Sequence, residues 1–456
     1  MKLVTKMYVL IFPVIIGFSS CKKFVDVDAS PNYIVTEAVF ASDKTAISAI
    51  SGLYLQMRNQ LLSVSNGGLS VYSALSADEI YNTNPSTTAD PFYKNSIPST
   101  NNTVSTNFWG SAYRNIYQVN AMLEGLSGSV SLTDSVRQQL KGEVRLVRAF
   151  YYFYLVNLFG DVPLVLSTNY DANSKIARST SGEILQQIVN DLKAAEEELS
   201  IHYPSTNRGR PNRATAAALL ARVYLYNKDW VNAEIKASAV INAGNYSLVS
   251  NLNNVFVPNS NEIIWQIIRD NANTAEGSTF IPASATAKPV YAITTSLLNS
   301  FEAGDQRKLN WLKSNTVSGQ AYYYPFKYKV RVTTPVSEYE VVFRLGELWL
   351  VRAEARAMQN NSVGAKDDLN MIRNRSGLLA ISANTQTEIL NGIEQERRVE
   401  LFTEWGHRWL DLKRKNKADG VLGPIKAPNW QPTDILYPIP QVELDRNPFL
   451  VQNPGY

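Results

Sequence analysis

Apolar positions along this chain recur mostly at steps of three and four, a pattern that predicts helices. Ser42 to Leu62 sets Ile47, Ile50, Leu53, Tyr54 and Met57 on one face, with Ser42 placed as an N-cap. Phe108 to Leu126 keeps Trp109, Ala112, Tyr113, Ile116 and Val119 in register. Leu132 to Phe159 reads as one long helix or a kinked pair. Its end, RAFYYFYLVNLFGDVPLV, is apolar nearly all round, as a fully buried helix is, and Gly160 and Pro163 stop it. Tyr151, Tyr152 and Tyr154 lie inside that run and are expected to pack in the core. Gly182 to Leu199 is a further amphipathic helix.

Two helical hairpins follow the same internal plan. In ATAAALLARVYLYNKDWVNAEIKASAVINAGNY, Ala221 and Ala233 are the small residues where two helices would cross closely, with Tyr224 and Val240 as plugs. In the stretch that opens VVFRLGELWLVRAEARAMQ, Ala353 matches Ala221, Ala365 matches Ala233 and Ile372 matches Val240. Both alanine pairs are twelve residues apart, the small-residue spacing of a tetratricopeptide (TPR) repeat. Two dispersed copies do not make a tandem solenoid; they predict a scaffold of paired helices.

Elsewhere the period fails. Asn66 to Asn107 is rich in turn formers with scattered aromatics, and Asn251 to Pro335 is rich in Gly, Pro, Thr and Ser apart from EIIWQIIRD, a short strand candidate. Long irregular segments in a folded protein are usually functional. After Arg414 the tail is proline-rich.

Composition narrows the classes. The chain has 24 Tyr, 16 Phe and 8 Trp against 2 His, and its net charge of +4 falls to +2 without Lys2 and Lys6. The basic residues are dispersed, which argues against nucleic acid. The single cysteine, Cys21, excludes an intramolecular disulfide framework. Residues 1–20 read as a signal peptide: Lys2 and Lys6 precede the apolar run Tyr8 to Phe18, which is short for a membrane span. Ser19-Ser20-Cys21 resembles a bacterial lipobox, making Cys21 the expected lipidation site and residues 21–31 a tether.

The densest candidate chemistry is C-terminal. Glu396, Glu400, Glu404 and Asp411 lie among Arg397, Arg408 and Arg414 in what reads as a single helix. A glycosidase-type carboxylate pair is conceivable there. Arginines at helical spacing, such as Arg408 four residues after Glu404, favour ion-paired packing instead, because cations lower a carboxyl pKa. His202 and His407 are isolated, no zinc motif is present, and nothing points to a cofactor or metal. Binding is then left to aromatics and amides in the irregular segments: a sugar ring offers an apolar face to Trp or Tyr and hydroxyls to polar side chains.

The lipobox, RAFYYFYLVNLFGDVPLV, the first hairpin, FEAGDQRKL, RLGELWLVRAEARA with DLNMIRNRSGL, QERRVELFTEWGHRWLDLKR and YPIPQVELDRNPFLVQNPGY occur in that order over nearly the whole chain. Together they resemble the SusD/RagB family of nutrient-capturing outer-membrane lipoproteins. The resemblance implies a mainly α fold: a TPR-like helix-pair scaffold with a loop-rich ligand-binding half and a few short strands. It implies one domain over residues 32–456, with loop insertions near 63–107 and 251–335. It also implies a SusC-like TonB-dependent transporter as partner, anchorage to the outer membrane by lipid, and an oligosaccharide or, in some members, a peptide as ligand, without catalysis. The family's ligand-binding loops correspond to segments holding Asp78, Tyr81, Asn82 and Tyr93, and later Phe280, Tyr291, Trp311 and Tyr322. The rival expectations are an all-helical surface glycoside hydrolase or lyase, and a TPR-type assembly scaffold.

Overall fold

The computed structural model describes residues 36–456. The expected leader (1–20), Cys21 and the tether (21–31) fall outside the described residues. In chain order the helices are α1 (Asp43–Asn59), α2 (Ser111–Gly128), α3 (Asp134–Phe159), α4 (Ser181–Glu198), α5 (Arg213–Tyr226), α6 (Trp230–Asn242), α7 (Leu345–Met358), α8 (Ser362–Arg375), α9 (Gln386–Glu400), α10 (His407–Arg414) and α11 (Ala418–Lys426). Apart from the two-residue pair Val162–Pro163 and Arg178–Ser179, the strands are β1 (Ile80–Asn82), β2 (Ile263–Ile267), β3 (Tyr291–Ile293), β4 (Leu312–Val317), β5 (Gln320–Pro325) and β6 (Glu340–Arg344), all short. They form separate antiparallel pairs: β1 with β3, β2 with β6, and the β4–β5 hairpin. No described helix is long and apolar enough to cross a membrane.

The helix starts follow side-chain capping. Ser42 accepts from the Thr45 amide, and Thr180 with Glu183 and Thr385 with Glu388 close capping boxes on α4 and α9. α3 is a single helix whose last three turns are buried almost all round. Its tyrosines are core residues that each find a partner: Tyr151 with Ser65 (2.8 Å), Tyr152 with Val165 O (2.9 Å) and Tyr154 with Arg222 (2.9 Å).

The paired helices meet as the alanine spacing predicts. Ala221, Ala233, Ala353 and Ala365 are all fully buried where α5 crosses α6 and α7 crosses α8. α6 then packs on α7, so the two pairs are neighbours in space although about a hundred residues of other structure separate them. A buried bidentate ion pair ties them, with Arg222 of α5 donating to both oxygens of Glu347 of α7 at 2.7 Å.

Two expectations change. The segment near 63–107 is not an open loop. Leu69–Ser73 forms a wide helical turn that runs into Ala74–Ser76, and every residue from Ser63 to Ile80 is buried. Small residues permit this: Gly67 has φ +79°, and a Cβ there would lie 2.6 Å from that of Ala275. A run of Ser, Gly and Ala carries no hydrophobic period, so the sequence hides it.

The C-terminal charged block is likewise not one helix. Leu401 to Gly406 breaks it, with positive φ at Thr403 (49°), Trp405 (48°) and Gly406 (71°). The break frees the carbonyls of Glu400 and Phe402, and buried Lys327 donates to both at 2.8 Å. The pairing partners change with it. Glu404 is held by Arg344 and Lys327, while Arg408 reaches Asp78 and Arg397 reaches Asp411. Ion pairing is correct as a reading of this block; the i,i+4 partners are not.

Candidate ligand-binding face

The two irregular regions converge. β1 lies antiparallel to β3, with Tyr81 opposite Ala292 and Asn82 opposite Tyr291. The β4–β5 hairpin packs beside β3 and carries Tyr322. Lys288 joins the pieces: its ammonium donates to Thr83 O (2.6 Å) and sits 5.1 Å from the centre of the Tyr322 ring. The short helix Asp90–Lys94 flanks them and presents Tyr93, which is 37% exposed.

Tyr81, Tyr93 and Tyr322 therefore share one solvent-facing surface. Their proximity registers electrostatically: burial raises the pKa of Tyr81, and the neighbouring Tyr322 and Tyr93 phenols add to the rise. Asn82 is half-buried, and its amide nitrogen donates to Asp90 (2.5 Å) and Asn84 O (2.8 Å). Aromatic packing beneath fixes Tyr93. Its neighbour Phe92 is fully buried, with its ring 4.6 Å from that of Tyr72 and edge-on to Phe108 and Tyr437. Adjacent residues of one short helix thus face opposite ways.

The other candidates lie under the surface. Phe280 and Tyr291 are buried and pack edge to face at 6.4 Å as the floor behind β3. Trp311 is fully buried; its indole donates to Leu252 O (3.0 Å), and Phe256, Phe402 and Lys327 surround its ring. Asp78 is buried between Arg408 (2.7 Å) and Arg398 (2.6 Å). Burial works to raise the Asp78 carboxyl, and Arg408 and Arg398 outweigh it, holding the group below its ordinary value. The fold thus places these four inside rather than on the surface. Trp311, Phe280 and Tyr291 are where the hydrophobic effect places large aromatics, and Asp78 is spent on two guanidiniums. Lys288 is the functional candidate that sequence reasoning missed; only its place three residues before β3 pointed to it.

The C-terminal carboxylates have a different environment. Burial pushes Glu400 up, but Arg375, Arg344 and Arg307 together hold it well below the usual carboxylate range. Glu354 is likewise opposed by burial yet held at about 2, chiefly by Arg414. Such groups are poor proton donors. Burial does raise Glu396, against the effect of Arg307, but that side chain is 1% exposed. His407 is buried and held well below its ordinary value by burial and by Arg222 and Arg397. Among the described residues, no group of three or more His, Cys, Asp or Glu side chains is placed to hold a metal ion.

Comparison with known proteins agrees with this architecture. Residues 24–225 match the family model described as "Starch-binding associating with outer membrane", and residues 265–431 match that of the SusD family. "SusD-like protein P25" of Formosa agariphila is 24% identical over 96% of this chain and 97% of its own length. A SusD superfamily structure from Bacteroides vulgatus superposes with a TM-score of 0.81 at 22% identity, covering 91% of this chain and 99% of its own. A laminarin-binding SusD-like protein superposes at 0.76 with 23% identity, covering 91% and 99%. Fold, block order and both family models agree, and the chain belongs to the SusD/RagB family.

Proposed function

We propose that this protein is a non-catalytic, cell-surface glycan-binding lipoprotein, anchored through Cys21 to the outer membrane, that passes captured oligosaccharide to a SusC-like TonB-dependent transporter. One observation carries this reading: Tyr81, Tyr93 and Tyr322, drawn from three separate segments, meet on one exposed surface. Phenol rings at such a surface offer flat apolar faces for sugar C–H groups, and Asn82 supplies a polar edge. The family's starch-binding description and the laminarin-binding neighbour support the choice of glycan. Tethering beside a transporter would raise the local ligand concentration, so modest affinity suffices.

Affinity electrophoresis and calorimetry against a glycan panel test the proposal, with product analysis in the same tubes. Retardation by at least one glycan without cleavage is the expected result. Released products would establish the hydrolase reading, and binding of peptides alone would establish the peptide-capturing one. Binding to outer-membrane protein with no glycan at all would favour the assembly scaffold. Cys21→Ala is expected to leave the membrane fraction.

A further inference from the structure

Beside the repeat hairpins lies a concavity of about 360 Å³ that shares no residue with the tyrosine face. That size suits a disaccharide-scale ligand. The end of α5, the start of α6, the end of α7, α9 and the turn after α10 enclose it. Its apolar part is built from Trp230, Met358 and Leu390.

The charge on its walls is unbalanced. Lys228, Arg414, Lys415 and Lys417 face Glu354 and Glu394, an excess of two positive charges. The carboxylates are also already engaged. Glu354 is taken by Arg414 through two bonds of 2.6 and 2.7 Å, and Glu394 by Lys417 at 2.7 Å. Lys415 shares those two groups at 3.4 and 3.8 Å, and among the described residues its ammonium makes only these longer ion pairs and no hydrogen bond although its side chain is only 15% exposed. Burial lowers its pKa, with Arg414 and Arg397 adding to the effect against Glu354 and Asp411. Lys228, on the exposed turn between α5 and α6, has no carboxylate within ion-pairing distance among the described residues. On the wall, the Tyr226 hydroxyl is buried and has no hydrogen-bond partner.

Cations in excess of their carboxylates and an apolar wall specify complementary chemistry: a carboxylate and an apolar ring face in one molecule. We propose that this concavity is a second ligand site, for a uronate residue of an acidic oligosaccharide, with the carboxylate on Lys415 and Lys228 and the ring against Trp230. This proposal does not rest on the reading of the tyrosine face.

The probe is digalacturonate, titrated calorimetrically into the purified chain beside its carboxyl-reduced, neutral counterpart. Saturable binding of the acid and at least tenfold weaker binding of the neutral sugar are expected. Trp230→Ala and Lys415→Gln should each weaken the acid at least tenfold, and Tyr81→Ala and Tyr322→Ala should leave it within twofold. Lys228→Glu keeps the test decisive if the inner variants fold poorly, since it changes an exposed rim residue; it too should weaken binding several-fold. Absence of saturable binding, equal affinity for the neutral sugar, wild-type affinity in a well-folded Trp230→Ala or in Lys228→Glu, or loss through the tyrosine variants instead would each overturn the site.

Discussion

The charged block of α9 and α10 and the tyrosine face are both crowded with side chains capable of chemistry, yet the molecule uses them in opposite ways. In the block the buried acids meet bases inside the protein: Arg344 alone serves Glu262, Glu400 and Glu404. On the tyrosine face, three phenols remain open to solvent while their neighbours Phe92, Tyr291 and Phe280 turn inward. Density of functional groups therefore does not mark a site; groups left without an internal partner do. The two regions nevertheless touch, because Arg408 of the block holds Asp78, three residues before Tyr81.

That contrast can be broken from either side. Arg344→Met removes the cation that serves three buried carboxylates, and an uncompensated buried charge costs about 3–5 kcal/mol. Urea denaturation should show a loss of that order, with glycan affinity of the folded protein within twofold of wild type. Arg408→Met tests the contact between the regions. It should cost about 2–3 kcal/mol, since Asp78 retains only Arg398, and it should also weaken glycan binding several-fold by loosening the entry to β1. Unchanged binding there would separate the regions completely.

Glu79, next to Asp78, gives a pH-dependent test. Burial, then the Asp78 charge, pushes its carboxyl up from 4.5 to about 8. The folded chain keeps a proton that the unfolded chain releases above about 4.5, so this group lowers stability as pH rises from about 4.5 to about 8 and keeps it lowered beyond. Glu79→Gln preserves the acceptor for the Thr403 amide. Its melting temperature should match wild type near pH 4 and exceed it most near pH 9, by the equivalent of no more than about 5 kcal/mol. A constant gap at all pH values would show that the group does not titrate there. The smallest effect on free energy falls on the face itself. Tyr81→Ala or Tyr322→Ala should raise a glycan Kd at least tenfold, about 1.4 kcal/mol, and shift stability by no more than about 0.5 kcal/mol. Tight binding by the double variant would move the site elsewhere.

The sequence exposed what depends on local repetition. The alanines at positions 221, 233, 353 and 365 announce close helix crossings because helical geometry fixes their spacing, and α3 announces its burial through its unbroken apolar end. It did not expose pairings across the fold. Arg408 stands four residues after Glu404, the spacing of a helical pair, but a backbone turn at Trp405 and Gly406 sends it to Asp78. Aromatic exposure was equally hidden. Trp311 and Tyr322 belong to the same turn-rich region, and only the docking of Phe256 and Phe402 buries one while the hairpin lifts the other. The regions were identifiable in advance; which ring faces solvent depends on contacts that no local period encodes.

The clasp on Asp78 also bears on the order in which the molecule can assemble. Arg398 and Arg408 stand 320 and 330 residues further along the chain than the aspartate they hold, and the Tyr437 phenol meets Ser76 across 361 residues. Contacts of such separation close late, because the intervening chain must first be ordered. A chain ending before α9 would carry all three tyrosines and still lack the anchors of the segment that leads into β1. The face is thus braced by segments that the chain supplies last.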